Sequence, residues 1–140
     1  MILCERVRRA GDPCMGEWIL PEVLQEVDEL TWQNNPDDAW RHLLQSAVAI
    51  DRIELGVFSQ GDMIGFCVLA EDDDIHVGRC LTVMWDYVVP SHRGGTVGQR
   101  MLRTAKSRAQ QLGFSVLCYT HRTGLGVYQV RYIRLENKHG

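Results

Sequence analysis

The chain has 140 residues, 45% of them hydrophobic and 24% charged, which is one domain's worth of ordinary globular composition and rules out a fully disordered chain. No stretch approaches the ~18 consecutive apolar residues of a membrane helix, and the first ten residues carry Glu5, Arg6, Arg8 and Arg9 where a secretory leader has an apolar core. A single domain over 1–140, cytoplasmic and free of membrane, is expected. The five cysteines (Cys4, Cys14, Cys67, Cys80, Cys118) are odd in number and lack paired spacing, and the five histidines are dispersed, so neither a disulfide framework nor a metal site is expected.

The formal net charge is only −3, but it is unevenly distributed. Residues 1–86 hold 6 basic and 17 acidic side chains, whereas residues 87–135 hold 8 basic ones and no acid. A long acid-free stretch is suited to a surface that meets an anion.

In chain order, residues 2–8 read as a first strand, broken by Gly11, Asp12 and Pro13. Trp18, Leu20, Val23, Leu24, Val27 and Leu30 recur at helical spacing and predict a helix over 17–30. Asn35 is a candidate N-cap, with Pro36 at the first position of a second helix reaching about residue 50. Residues 53–60 and 63–70, joined by Gly61–Asp62, give a hairpin signal, and 71–74 an acidic turn. Residues 79–89 are almost wholly apolar and read as a buried central strand ended by Pro90. Met101, Leu102, Ala105, Ala109 and Leu112 mark one face of a helix that stops at Gly113. A strand over 114–119, a short helical turn over 127–130 and a last strand over 132–135 complete the order β-α-α-β-β-β-α-β-α-β. This is an α+β chain with a mixed, mostly antiparallel sheet flanked by helices and a short C-terminus.

The segment that carries chemistry is Val88-Val89-Pro90-Ser91-His92-Arg93-Gly94-Gly95-Thr96-Val97-Gly98-Gln99, between the central strand and an amphipathic helix. Glycines let the backbone adopt positive φ and let a ligand approach the main chain. A helix N-terminus offers unpaired N–H groups and a partial positive charge, so the two together form a phosphate cradle. The helix adds Arg100, Arg103, Lys106 and Arg108 and no acid. Neither the Walker A nor the Rossmann spacing is present.

Arg93-Gly94-Gly95-Thr96-Val97-Gly98, after a strand ending Val-x-Pro, resembles the acetyl-CoA loop Gln/Arg-x-x-Gly-x-Gly/Ala of the GCN5-related N-acetyltransferases (GNAT), with Thr96 where the middle glycine is usual. A second match lies at residues 121–128. His121 and Gly124 stand where the family often has Asn and Ala, and Tyr128 falls on the tyrosine that in many members protonates the leaving CoA thiolate. The specific motifs span about residues 81–133, and the element order resembles the family over nearly the whole chain.

The resemblance implies a GNAT-like fold and transfer of an acetyl group from acetyl-CoA to a primary amine. It places the cofactor against Tyr87, Val88 and Val89 at the strand end, and against Arg93, Gly94, Gly95, Thr96, Val97, Gly98 and Gln99 in the loop. Tyr128 is the candidate acid and Asp86 the candidate base or amine anchor. The Val88 N–H is a natural oxyanion donor if the strand parts from its neighbour there. The acceptor is a small-molecule or peptide amine, and the acidic N-terminal part favours a cationic one. The short C-terminus allows a homodimer whose partner completes the sheet. The competing reading is a catalytically silent acyl-CoA-binding domain. A nucleic-acid module fits poorly, because no reader motif accompanies the basic helix.

Overall fold

In the computed structural model, residues 1–19, 29, 32 and 35–136 are described. They form one six-stranded sheet in chain order: β1 (Ile2–Arg8), β2 (Arg52–Ser59), β3 (Asp62–Asp74), β4 (Gly78–Val88), β5 (Val116–Gly124) and β6 (Val127–Arg134). All neighbours run antiparallel except β4 and β5, which are parallel and joined by α2 (Val97–Gln111). α1 (Pro36–Val48) precedes β2. No helix among the described residues is long and apolar enough to cross a membrane.

Two cores cover the two faces of the sheet. On one, Val97, Met101, Ala105 and Ala109 of α2 pack on Leu55, Leu69, Leu81 and Leu117. On the other, Trp40, Leu43, Leu44 and Ala47 of α1 meet Met15, Ile19, Phe66 and Tyr87. Trp85 belongs to this second core, edge-on to Phe66 (5.2 Å between ring centroids) and Trp40 (6.4 Å).

The local signals for both helices are realised. The Asn35 side chain accepts from the Asp38 N–H at 2.8 Å and caps α1. At the end of α2, Gly113 (φ +83) and Phe114 donate back to the carbonyls of Gln110 and Ala109, a Schellman closure.

Three expectations change. The helix expected over 17–30 lies largely outside the described residues; its first part forms a 3-10 turn over Met15–Trp18. The acidic stretch 71–74 is the end of β3, and the turn falls at residues 75–77.

The third change matters most for the site. No helical turn separates the last two strands: residues 127–130 belong to β6, which pairs with β5 in a tight hairpin. Gly126 (φ +68) supplies the turn, and β-branched Val127 and Val130 suit the strand that follows. The expected order therefore loses its last helix, while the mixed, mostly antiparallel sheet stands.

The uneven charge is also partly consumed inside the fold. Arg108 of α2 pairs with Glu5 of β1, and Arg122 of β5 pairs with Glu29. The acid-free C-terminal part thus meets the acidic N-terminal part, so only some of its cations remain for an external anion.

Candidate active site

β4 and β5 pair only at Leu81↔Leu117 and Thr82↔Cys118. Beyond those positions the two strands part, and a cleft of about 570 Å³ opens between them on the α2 side. Asp86, Gly98, Gln99, Tyr119, His121 and Arg131 are among its lining residues.

A bulge decides what β4 presents to this cleft. Val68 pairs with Trp85 and Leu69 with Val83, leaving Met84 as an extra residue. Leu81 and Val83 face α2, whereas Trp85 and Tyr87 face α1. The side-chain alternation is thereby reset, and Asp86 and Val88 fall on the α2 side.

The edge of β4 is open where the cleft begins. The Val89 N–H donates to the Ile64 carbonyl of β3 at 2.9 Å. Polar groups on a strand alternate sides, so the Val88 N–H faces the opposite way, toward the parted β5. The Val88 carbonyl accepts from Arg93 Nε at 2.9 Å, and the Arg93 guanidinium lies 5.3 Å from the Tyr87 ring centroid.

The glycine loop lies beside that edge. Gly94 has φ +77, in the left-handed region that favours glycine, and a Cβ there would meet nothing within 4 Å. Thr96 sits at φ −94, ψ −7, a conformation open to any residue, and its side chain does not cap α2. The first turn of α2 holds no acid, so no side-chain carboxylate from that turn competes for its N–H groups.

The N-terminus of α2 is seated by contact with the sheet. A Cβ on Gly65 would lie 2.7 Å from Val97 Cγ1, so only glycine lets Val97 pack this close to β3. Gly65 pairs with Val88, so this contact sets the loop directly over the open edge.

Burial in the cleft raises the Asp86 carboxyl above the ordinary carboxylate range, and His121 pulls it back. The structure thus brings Asp86, Gly98 and Gln99 to one cleft, with Val88 and the rest of the glycine loop beside it.

Tyr128 lies elsewhere. It pairs with Arg122 on the hairpin and is absent from the cleft lining. Desolvation raises its phenol, as does Glu29, whose carboxylate it contacts alongside Arg122. That carboxylate accepts from the Gly126 N–H at 2.6 Å and from Arg122 Nε at 3.0 Å, and these bonds lower its pKa to about 2.

Two cleft residues, Tyr119 and Arg131, escaped the sequence reading. Stepping by two from the buried Leu117 reaches Tyr119 and then His121 on one face, the signal that was available. The acids at 71–74 lie four to seven residues along β3 from Cys67 of the cleft, roughly 13–23 Å at ~3.3 Å per residue. Asp74 there accepts from Tyr132 and Glu71 pairs with Arg79. A separate hollow of about 470 Å³ flanks β1, lined by residues including Arg6, Trp18 and Phe58, and shares no residue with the cleft.

The defining feature of this sheet is a parallel pair that parts beside a glycine loop and a helix N-terminus free of acids. The sequence profile of the acetyltransferase (GNAT) family matches residues 19–130, and the chain belongs to that family. No curated protein sequence matches it.

Solved structures share the fold. A GNAT family acetyltransferase from Brucella melitensis in complex with acetyl-CoA is 12% identical, with 96% of this chain and 89% of that one covered and a TM-score of 0.61. A ribosomal-protein-alanine N-acetyltransferase from Brucella melitensis biovar Abortus 2308 is 18% identical (88% and 82% covered, TM-score 0.59). The aminoglycoside 6'-N-acetyltransferase AAC(6')-IG from Acinetobacter haemolyticus is 14% identical (99% and 98% covered, TM-score 0.59).

Proposed function

We propose that the protein transfers the acetyl group of acetyl-CoA to a primary amine by direct attack in a ternary complex. The observation that carries this reading is the parting of β4 and β5 beside the N-terminus of α2. The residues present fit the cofactor. Gly94 gives the loop an open left-handed turn, and the helix start has no internal carboxylate.

The N–H groups of residues 94–99 would hold the diphosphate, with the Thr96 hydroxyl beside them. Tyr87, Val88 and Val89 would offer the strand edge to the pantetheine arm. Acetyl-CoA supplies an activated acyl carbon. The Val88 N–H stabilises negative charge developing on the acyl oxygen. Asp86 anchors the acceptor amine or removes its proton, and burial suits it to proton exchange nearer neutral pH. The proton for the thiolate comes from Tyr128, as the motif register has it, or from His121, which lines the cleft.

The acceptor is a small cationic amine or a peptide amine. The family relatives named above support that class, and Asp86 supplies a carboxylate to receive it. A silent acyl-CoA-binding role draws on one observation, the placement of Tyr128 outside the cleft lining. Thiol release from acetyl-CoA over a panel of polyamines, aminoglycosides and lysine peptides tests the two. Turnover with any amine, lost in Asp86→Asn, supports the enzyme. Binding of acetyl-CoA without turnover on any amine supports the silent domain.

A further inference from the structure

Side chains of the β5–β6 hairpin alternate between the two faces of the sheet. Leu117 is buried under α2 and Tyr119 packs on the same core, so His121 is the next residue on that side. Its strand partner is Gln129, and Tyr119 pairs with Arg131, which also lines the cleft. Tyr128 pairs with Arg122, one register step away, and so points to the other face, where Glu29 meets it.

Asp86 lines the same cleft as His121, and the His121 charge opposes the rise that burial imposes on the Asp86 carboxyl. The other titratable or charged groups lining this cleft are Arg131 of β6, Tyr119 of β5 and Cys67 of β3; α2 lines it with Gly98, Gln99, Met101, Leu102 and Ala105.

We infer that His121, rather than Tyr128, is the residue that protonates the departing thiolate, with Asp86 as its partner across the cleft. This rests on the acetyl-CoA reading given above. His121 gives the proton that the sulfur keeps as the carbon–sulfur bond breaks. Asp86 accepts the proton that the amine nitrogen sheds as it bonds to the acetyl carbon. Return of that proton from Asp86 to His121 restores both groups, so the net products are an amide and a free thiol.

The test compares coenzyme A with desulfo-coenzyme A, which differ only at the sulfur, by calorimetry at pH 8 on the whole chain. An imidazole N–H seated at the sulfur makes a hydrogen bond that desulfo-coenzyme A cannot accept, so coenzyme A is expected to be the tighter ligand by roughly two- to tenfold. His121→Gln is expected to erase that advantage while leaving desulfo-coenzyme A affinity unchanged, a pattern that a merely structural role does not produce. Tyr128→Phe is expected to leave both affinities as they are. An advantage that persists in His121→Gln, that is lost in Tyr128→Phe, or that is missing from the unmodified protein overturns the inference. If neither compound binds the unmodified protein, the acetyl-CoA reading itself fails, a result distinct from the others.

Discussion

Arg93 reaches back from the glycine loop to donate from Nε to the Val88 carbonyl at 2.9 Å. One side chain therefore ties the loop to the last residue of the strand before it and occupies the carbonyl on the cleft edge. Replacing Arg93 with Met removes this bond and the contact with the Tyr87 ring, together about 1–2 kcal/mol of positioning. Acetyl-CoA affinity, followed by calorimetry, should fall roughly tenfold. The melting temperature should fall by only a few degrees, because the residue is exposed.

Gly98 separates binding from folding. It lies in the first turn of α2, and a Cβ there would make only ordinary contact, 3.8 Å from Val88 Cγ2. Leucine is the better helix former by about 0.8–1 kcal/mol, so Gly98→Leu should keep or raise thermal stability. Its branched side chain would extend into the cleft and should abolish acetyl-CoA binding. A variant that still binds would place the cofactor elsewhere.

Asp86 should trade stability for activity. Burial raises its carboxyl above the ordinary value of 3.8. A raised acid stabilises the native state fully below its unfolded pKa, and that contribution is lost as the pH climbs through the folded value. Asp86→Asn should therefore melt no lower than the parent at pH 7, with any advantage fading below about pH 4. Its acetyl-transfer rate should fall by about 10²–10⁴.

Glu29 runs the opposite way. The Gly126 N–H and Arg122 hold its carboxylate down at about 2, from 4.5. A depressed acid adds stability above its unfolded pKa and loses it as the pH falls through the folded one, so the window runs from about 4.5 down to about 2. Hydrogen exchange at the Gly126 amide should accelerate relative to the core of β2 across that window. Glu29→Gln should show the faster exchange already at pH 6.

Glu54 is a buried acid with a structural task. It is fully buried, accepts from Arg52 Nε at 2.6 Å and from the Met15 N–H at 2.8 Å, and so fastens β2 to the turn at residues 15–18. Glu54→Ala leaves the buried Arg52 without its carboxylate and should cost about 3–5 kcal/mol, read as a lower urea midpoint. Acetyl-CoA should still bind the folded fraction, because neither residue lines the cleft.

Some of this protein was legible from residues a few positions apart. The Asn35 cap, the Gly113 stop and the apolar face of α2 depend on hydrogen bonds and packing within a turn or two of helix. The glycine loop is likewise a local property, set by Gly94 and by a helix start free of acids.

Tertiary structure decided which side chains share a face. The extra residue Met84 resets the alternation of β4, so Asp86 enters the cleft while Trp85 joins the opposite core. Bulges arise from pairing with a distant strand, and no short window of sequence contains that partner. The same holds for residues 121–128. Residues 127–130 read as a short helical turn, but pairing with β5 makes them the start of β6, which gives the cleft to His121 and leaves Tyr128 outside its lining.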